Sequence, residues 1–137
     1  MIRAFLFLFL SISLLVNCKP KAADPEMREL PEEFYGFYIQ FHADSLFQMQ
    51  HIAFPLEGSR KAGEGSVELM IPYYWQKEDW ILHNAFNDFN GSFKREFFQI
   101  GPVIIEKIAD KNEFFKMERR FAKFDKEWQL IFYSVNN

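Results

Sequence analysis

One cysteine in 137 residues excludes an internal disulfide, so the fold rests on packing alone. Histidine is also sparse: His42, His51 and His83 include no pair at zinc-motif spacing, so no metal site is expected. No nucleophile-elbow pattern surrounds Ser45, Ser59, Ser66 or Ser92, which all lie in turn-like or linker contexts. No cofactor motif is present. Nor does one sign of charge dominate. The chain carries 16 basic and 19 acidic side chains, for a net −3, which gives no electrostatic footprint for nucleic acid. What the chain has in abundance is aromatic residues, 19% of the total with 18 Phe, enough to build a core of large rings or to line a cavity.

The one long apolar run stands at the start. Arg3 precedes Ala4 to Val16, a run rich in Phe and Leu and shorter than the roughly 20 residues a spanning helix needs. It ends in Leu15-Val16-Asn17-Cys18, which resembles the lipobox of bacterial lipoproteins, with Asn17 replacing the usual small residue. The resemblance implies a signal peptide over residues 1–17, cleavage before Cys18, and lipidation of that cysteine as the membrane anchor. Residues 18–30 carry two prolines and charges of both signs without an apolar period, and read as a tether. Lys19 stands where an aspartate retains enterobacterial lipoproteins at the inner membrane, so by analogy the outer membrane is expected, with the periplasmic or surface leaflet undecided.

Residues 31–137 are expected to form a single α+β domain, N-terminal helices packed on a curved antiparallel β-sheet. Pro31 suits a first helical position, and Phe34, Phe37, Tyr38 and Phe41 recur at helical spacing. Gly36 weakens that helix unless close packing requires it. Asp44-Ser45 suits the cap of a second short helix with Phe47 inward. The stretch 51–56 reads as extended, with Pro55 marking a short or edge strand. Glu57 to Ser66 reads as a loop, and Val67 to Tyr73 as a strand. Trp75 to Trp80 is a short helix or a loop, and Ile81 to Phe86 a strand followed by an Asn90-Gly91 turn. Strands are expected over 93–100 and 103–108, around Gly101-Pro102. The C-terminal hairpin, 114–124 with 127–135, turns at Asp125-Lys126. A two-residue turn places Phe121 opposite Leu130, Arg119 opposite Phe132, and Met117 opposite Ser134. Met117, Phe121, Trp128, Leu130 and Phe132 then face the core. A one-residue slip would reverse the faces.

At Phe34 to Leu56 the pattern resembles a family of Bacteroidota lipoproteins known as domain of unknown function 4348. The matching residues are Phe34, Phe37, Tyr38 and Phe41, then Asp44-Ser45, Phe47-Gln48, Ile52 and Phe54-Pro55-Leu56. His51 departs from the arginine usual there. The resemblance implies a nuclear transport factor 2-like cone and brings no activity with it.

Two sets of residues suggest function. Asp44, His51 and Arg119 are candidates for a pocket between helices and sheet. Arg119 would there be a cation for an anionic ligand, with Asp44 or Glu68 as its resting partner. The plainer readings are a helix cap for Asp44, a strand-edge contact for His51, and an arginine reaching solvent past the rings. His42 reads as an imidazolium at a helix end. Tyr73, Tyr74, Trp75 and Trp80 are a candidate aromatic binding patch for a sugar or peptide, against the plain reading of core and edge packing. The expected function is non-enzymatic binding of a small ligand, peptide or envelope protein. The alternatives are a hydrolase- or isomerase-like enzyme centred on Asp44 and a structural accessory of an envelope complex. Homodimerisation through the outer face of the sheet is an analogy from such folds.

Overall fold

A computed structural model describes residues 25–63 and 69–136; the expected signal peptide, Cys18, most of the expected tether and Glu68 lie outside them. A 3-10 turn at Pro25–Met27 leads into α1 (Glu32–Ala43) and α2 (Ser45–Gln50). Six strands follow: β1 (Ile52–Ala62), β2 (Leu69–Trp75), β3 (Phe93–Ile100), β4 (Val103–Asp110), β5 (Lys116–Phe124) and β6 (Glu127–Val135). They form one sheet in the order β2-β1-β6-β5-β4-β3. All neighbours are antiparallel except β1 and β6, which run parallel.

Helix α1 forms because its apolar residues fall on one stripe: Phe34, Phe37, Tyr38 and Phe41 are all buried. Pro31 is the N-cap rather than the first helical residue, and its carbonyl accepts from the amides of Phe34 and Tyr35. The buried stripe packs ring edge to ring face on the sheet. Phe34 meets Phe121 at 5.4 Å and Trp128 at 5.0 Å between centroids, and Phe97 at 6.4 Å, so the helix lies across β3, β5 and β6. Ile104, Leu130 and Leu56 complete the core, each fully buried. No neighbouring atom lies within 4 Å of where a Gly36 Cβ would stand, so close packing does not require that glycine.

The first strand departs most from the sequence reading. Residues 57–62 continue β1 instead of forming a loop, because β2 pairs along them from Leu56↔Trp75 to Ala62↔Leu69. Pro55 is tolerated inside this long, interior strand because it precedes that pairing. It also sits where the β1–β6 ladder is interrupted, between Ile52 and Glu57. Residues 81–86 form no strand. After a 3-10 turn at Lys77–Asp79, residues 80–92 run without helix or strand to β3, where Asp88 accepts from the amides of Ser92 and Phe93.

The C-terminal hairpin turns on two residues, Asp125 and Lys126, both at positive φ (46° and 84°), so the turn forms without glycine. Phe121 pairs with Leu130 as expected. An extra residue, Ile131, then bulges from β6, so Arg119 pairs with Tyr133 and Met117 with Val135. The bulge exchanges Phe132 for Tyr133 on the helix-facing side. Phe132 turns to the outer face, where the Arg120 guanidinium lies 4.1 Å from its ring centre.

Candidate functional site

The strand registers stack one row of side chains across the helix-facing side of the sheet: Tyr73, Gly58, Tyr133, Arg119, Glu106 and Phe97, from β2 to β3. Gly58 is small for a reason. A Cβ there would meet the Tyr133 carbonyl oxygen and the indole nitrogen of Trp75, which donates to that same carbonyl at 3.0 Å.

At the middle of this row lies a buried polar cluster. Arg119 is 1% exposed and Glu106 fully buried. The Arg119 Nε donates to Glu106 Oε2 at 2.7 Å, and the Tyr38 hydroxyl donates to Glu106 Oε1 at 2.6 Å. A guanidinium has only donors, so the ring nitrogens facing its Nη1 must accept: His42 Nε2 at 2.8 Å and His83 Nδ1 at 3.3 Å. Acceptance fixes both tautomers. His42 keeps its proton on Nδ1, which donates to the Tyr38 carbonyl at 2.8 Å. His83 keeps its proton on Nε2.

The electrostatics agree. Burial, then the Arg119 charge, lowers His42 to a pKa of about 4 and His83 to about 3. His42 is therefore not the imidazolium expected at a helix end. Burial, reinforced by Glu106, pushes the Tyr38 phenol up. Burial opposes the Arg119 charge, but Glu106, Tyr38 and Tyr133 together push its pKa above the ordinary value, and the guanidinium stays protonated.

Gln48, 2% exposed, fixes the segment that carries His83. Its Nε2 donates to the carbonyls of Phe41 and His83, both at 2.8 Å. Its Oε1 accepts from the His83 amide at 2.8 Å and from the Trp80 indole at 3.3 Å. Every hydrogen-bonding position of the amide is used. The side chain thus acts as a one-residue strand partner for residue 83.

Above the polar row a cavity of about 360 Å³ opens, floored by Ile108, Met117 and Arg119 and walled by His83, Phe86 and Tyr133, among others. Its size falls within the range of small-molecule sites. Phe93, 39% exposed, and Leu82, 45% exposed, stand at its rim. The buried Arg95 guanidinium lies against the rings of Phe86 and Phe97, with its Nε donating to Glu26 at 2.7 Å. A cleft of about 200 Å³ backs onto the same His83 and Tyr133, lined also by Trp75, Asp79 and Trp80.

The three candidate pocket residues are not brought together. Arg119 is at the site, with Glu106 as its partner rather than Asp44; Glu68, the other expected partner, lies outside the described residues. Asp44 is exposed, and its Oδ1 accepts from the amides of Leu46 and Phe47 as the cap of α2. His51 stacks on Phe47 at 3.8 Å and donates through Nδ1 to the Phe47 carbonyl, in a separate groove beside Lys123 and Trp128. The aromatic patch divides. Tyr74 points out of the sheet, 57% exposed, while Tyr73 lies under the Arg60 guanidinium. Trp75 and Trp80 are half-buried around Tyr133, at 5.1 Å and 5.3 Å, with both indole N–H groups engaged. Glu106, His83, Gln48 and Tyr133 were missed as site residues. The signals available were Glu106, set with Lys107 among Val103, Ile104, Ile105 and Ile108, and Gln48 among the residues that carry the family resemblance.

No protein-family model matches the chain, and no curated protein matches it. Solved structures do. A cystatin-like protein from Bacteroides caccae superposes with a TM-score of 0.56 at 18% identity, covering 74% of each chain. An NTF2-like protein from Bacteroides fragilis superposes with a TM-score of 0.53 at 19% identity; the match covers 77% of this chain but 47% of that one, about half its length. Identities this low establish architecture and nothing more: the chain has the α+β fold, helices on a curved sheet, of nuclear transport factor 2-like and cystatin-like proteins.

Proposed function

We propose that this chain is a lipid-anchored envelope protein of the family of domain of unknown function 4348, and that its domain binds a small ligand without turning it over. The observation that carries the binding reading is the cavity itself. It is apolar over most of its wall, and on one side it meets the hydrogen-bonded cluster around Arg119. The cluster is rigid because each member is held by another, which suits recognition. Catalysis at Asp44 has no geometric support, since that carboxylate caps a helix in solvent.

The family assignment draws on Phe34 to Leu56, where Gln48 now has a structural task in holding residue 83. The anchoring reading rests on the lipobox-like Leu15-Val16-Asn17-Cys18 and on the tether behind it. Outer-membrane placement follows from Lys19, with the leaflet open to surface proteolysis of intact cells.

Native mass spectrometry of the protein, extracted gently from a bacterial envelope, tests the binding reading. A retained small molecule is expected. A clean apo mass would count against it and turn attention to protein partners, for which crosslinking in intact cells is the next step.

A further inference from the structure

The tautomers fixed by Arg119 leave two groups without a protein partner, on residues that line both the cavity and the cleft behind it. With Nδ1 accepting from the guanidinium, His83 presents an Nε2–H, and no acceptor for it is found among the described residues. The Tyr133 hydroxyl likewise has no hydrogen bond there, although its ring is packed against Trp75, Trp80 and His83. Both groups can donate, and both lie near a guanidinium. The lining of this cavity contains no Asp, Glu or Lys; Asp79 lines the smaller cleft behind His83 and Tyr133. Both oxygens of Glu106 are already engaged, by Tyr38 and by the Arg119 Nε. The nearby carboxylates of Asp88 and Asp110 accept from the backbone amides of Ser92, Phe93 and Phe115.

We propose, building on the binding reading above, that the cavity takes a small carboxylate with an apolar body. The carboxylate meets the Tyr133 hydroxyl and the His83 Nε2–H beside the Arg119 guanidinium, and the body packs among Phe86, Phe93 and Phe115. A carboxylate supplies acceptors for both donors at once and is favoured by the guanidinium charge at low local dielectric. An ammonium would bring a third donor and a like charge to the same wall. A neutral amide could satisfy the donors but would gain less from the charge. Phe93 and Phe115 already meet edge to face at 5.8 Å, leaving ring surfaces for a flat apolar group.

Three probes with one phenyl body separate these cases: phenylacetate, phenylacetamide and phenethylamine. They are titrated into the mature lipidated protein in lipid nanodiscs, with the methyl signals of Met117 and Ile108 followed by NMR. Phenylacetate is expected to shift both signals and to bind at least tenfold more tightly than the other two. Tyr133→Phe, which keeps the ring packing, is expected to weaken phenylacetate at least fivefold. Equal binding of the three probes, or preference for the amine or amide, overturns the carboxylate and leaves the cavity reading standing. Unmoved Met117 and Ile108 signals with every probe overturn both.

Discussion

Arg119 occupies a position where an unpaired guanidinium would cost several kcal/mol, and its surroundings show how that cost is met. One carboxylate supplies the countercharge and two imidazoles supply neutral acceptors. The arrangement carries a pH signature. His42 and His83 titrate in the folded protein near 4 and 3, well below the ordinary 6.5. Between those values the unfolded chain binds protons that the folded chain refuses, so stability rises with pH and is lost as pH falls from 6.5 towards 4. Two such groups give a slope approaching about 3 kcal/mol per pH unit. Urea unfolding at pH 6.5 and pH 5 should show a clear drop, and His83→Gln should roughly halve it. Equal stability at the two pH values would show that neither ring is held neutral.

Among the elements, the segment 80–92 depends most on a single side chain. It has no ladder of its own, and Gln48 supplies the hydrogen bonds a neighbouring strand would have given residue 83. Gln48→Leu leaves the Phe41 and His83 backbone groups and the Trp80 indole without that partner. A loss of about 3 kcal/mol is expected, with faster amide exchange at His83 than elsewhere. Unchanged exchange at His83 would show that the segment is held otherwise. Helix α1 offers the opposite case. Gly36 is exposed with open space around it, so Gly36→Ala should stabilise the protein by about 1 kcal/mol in thermal melts. The helices and the C-terminal hairpin were legible in the sequence because their apolar spacing is strong and local. The β1 extension was not, because glycine and charge in 57–62 are decided by what lies across the sheet. The same holds for the site. Nothing local marks the Ile131 bulge, yet it alone brings Tyr133 beside Arg119. Glu106 and Arg119 lie 13 residues apart, and only strand register pairs them.

At the scale of the whole molecule, the order of elements was enough to expect helices on a curved sheet, and the solved structures from Bacteroides share that architecture. The cavity could not be read in the same way, since the rings that line it are indistinguishable by composition from those that fill the core. The proposed anchor is a separate matter, read from four residues ahead of the domain. Cys18→Ser should abolish incorporation of labelled palmitate and move the protein from the membrane to the soluble envelope fraction. Continued labelling would show that the lipid is carried elsewhere or that the lipobox reading fails.

The cluster around Arg119 is the part of the account on which the rest depends, and nitrogen NMR of the histidine side chains tests it most directly. At neutral pH both rings should be uncharged, with His42 protonated at Nδ1 and His83 at Nε2, the pattern that leaves a donor on the cavity wall. Charged rings at pH 6, or the opposite tautomer at His83, would contradict both the network and the binding site built on it.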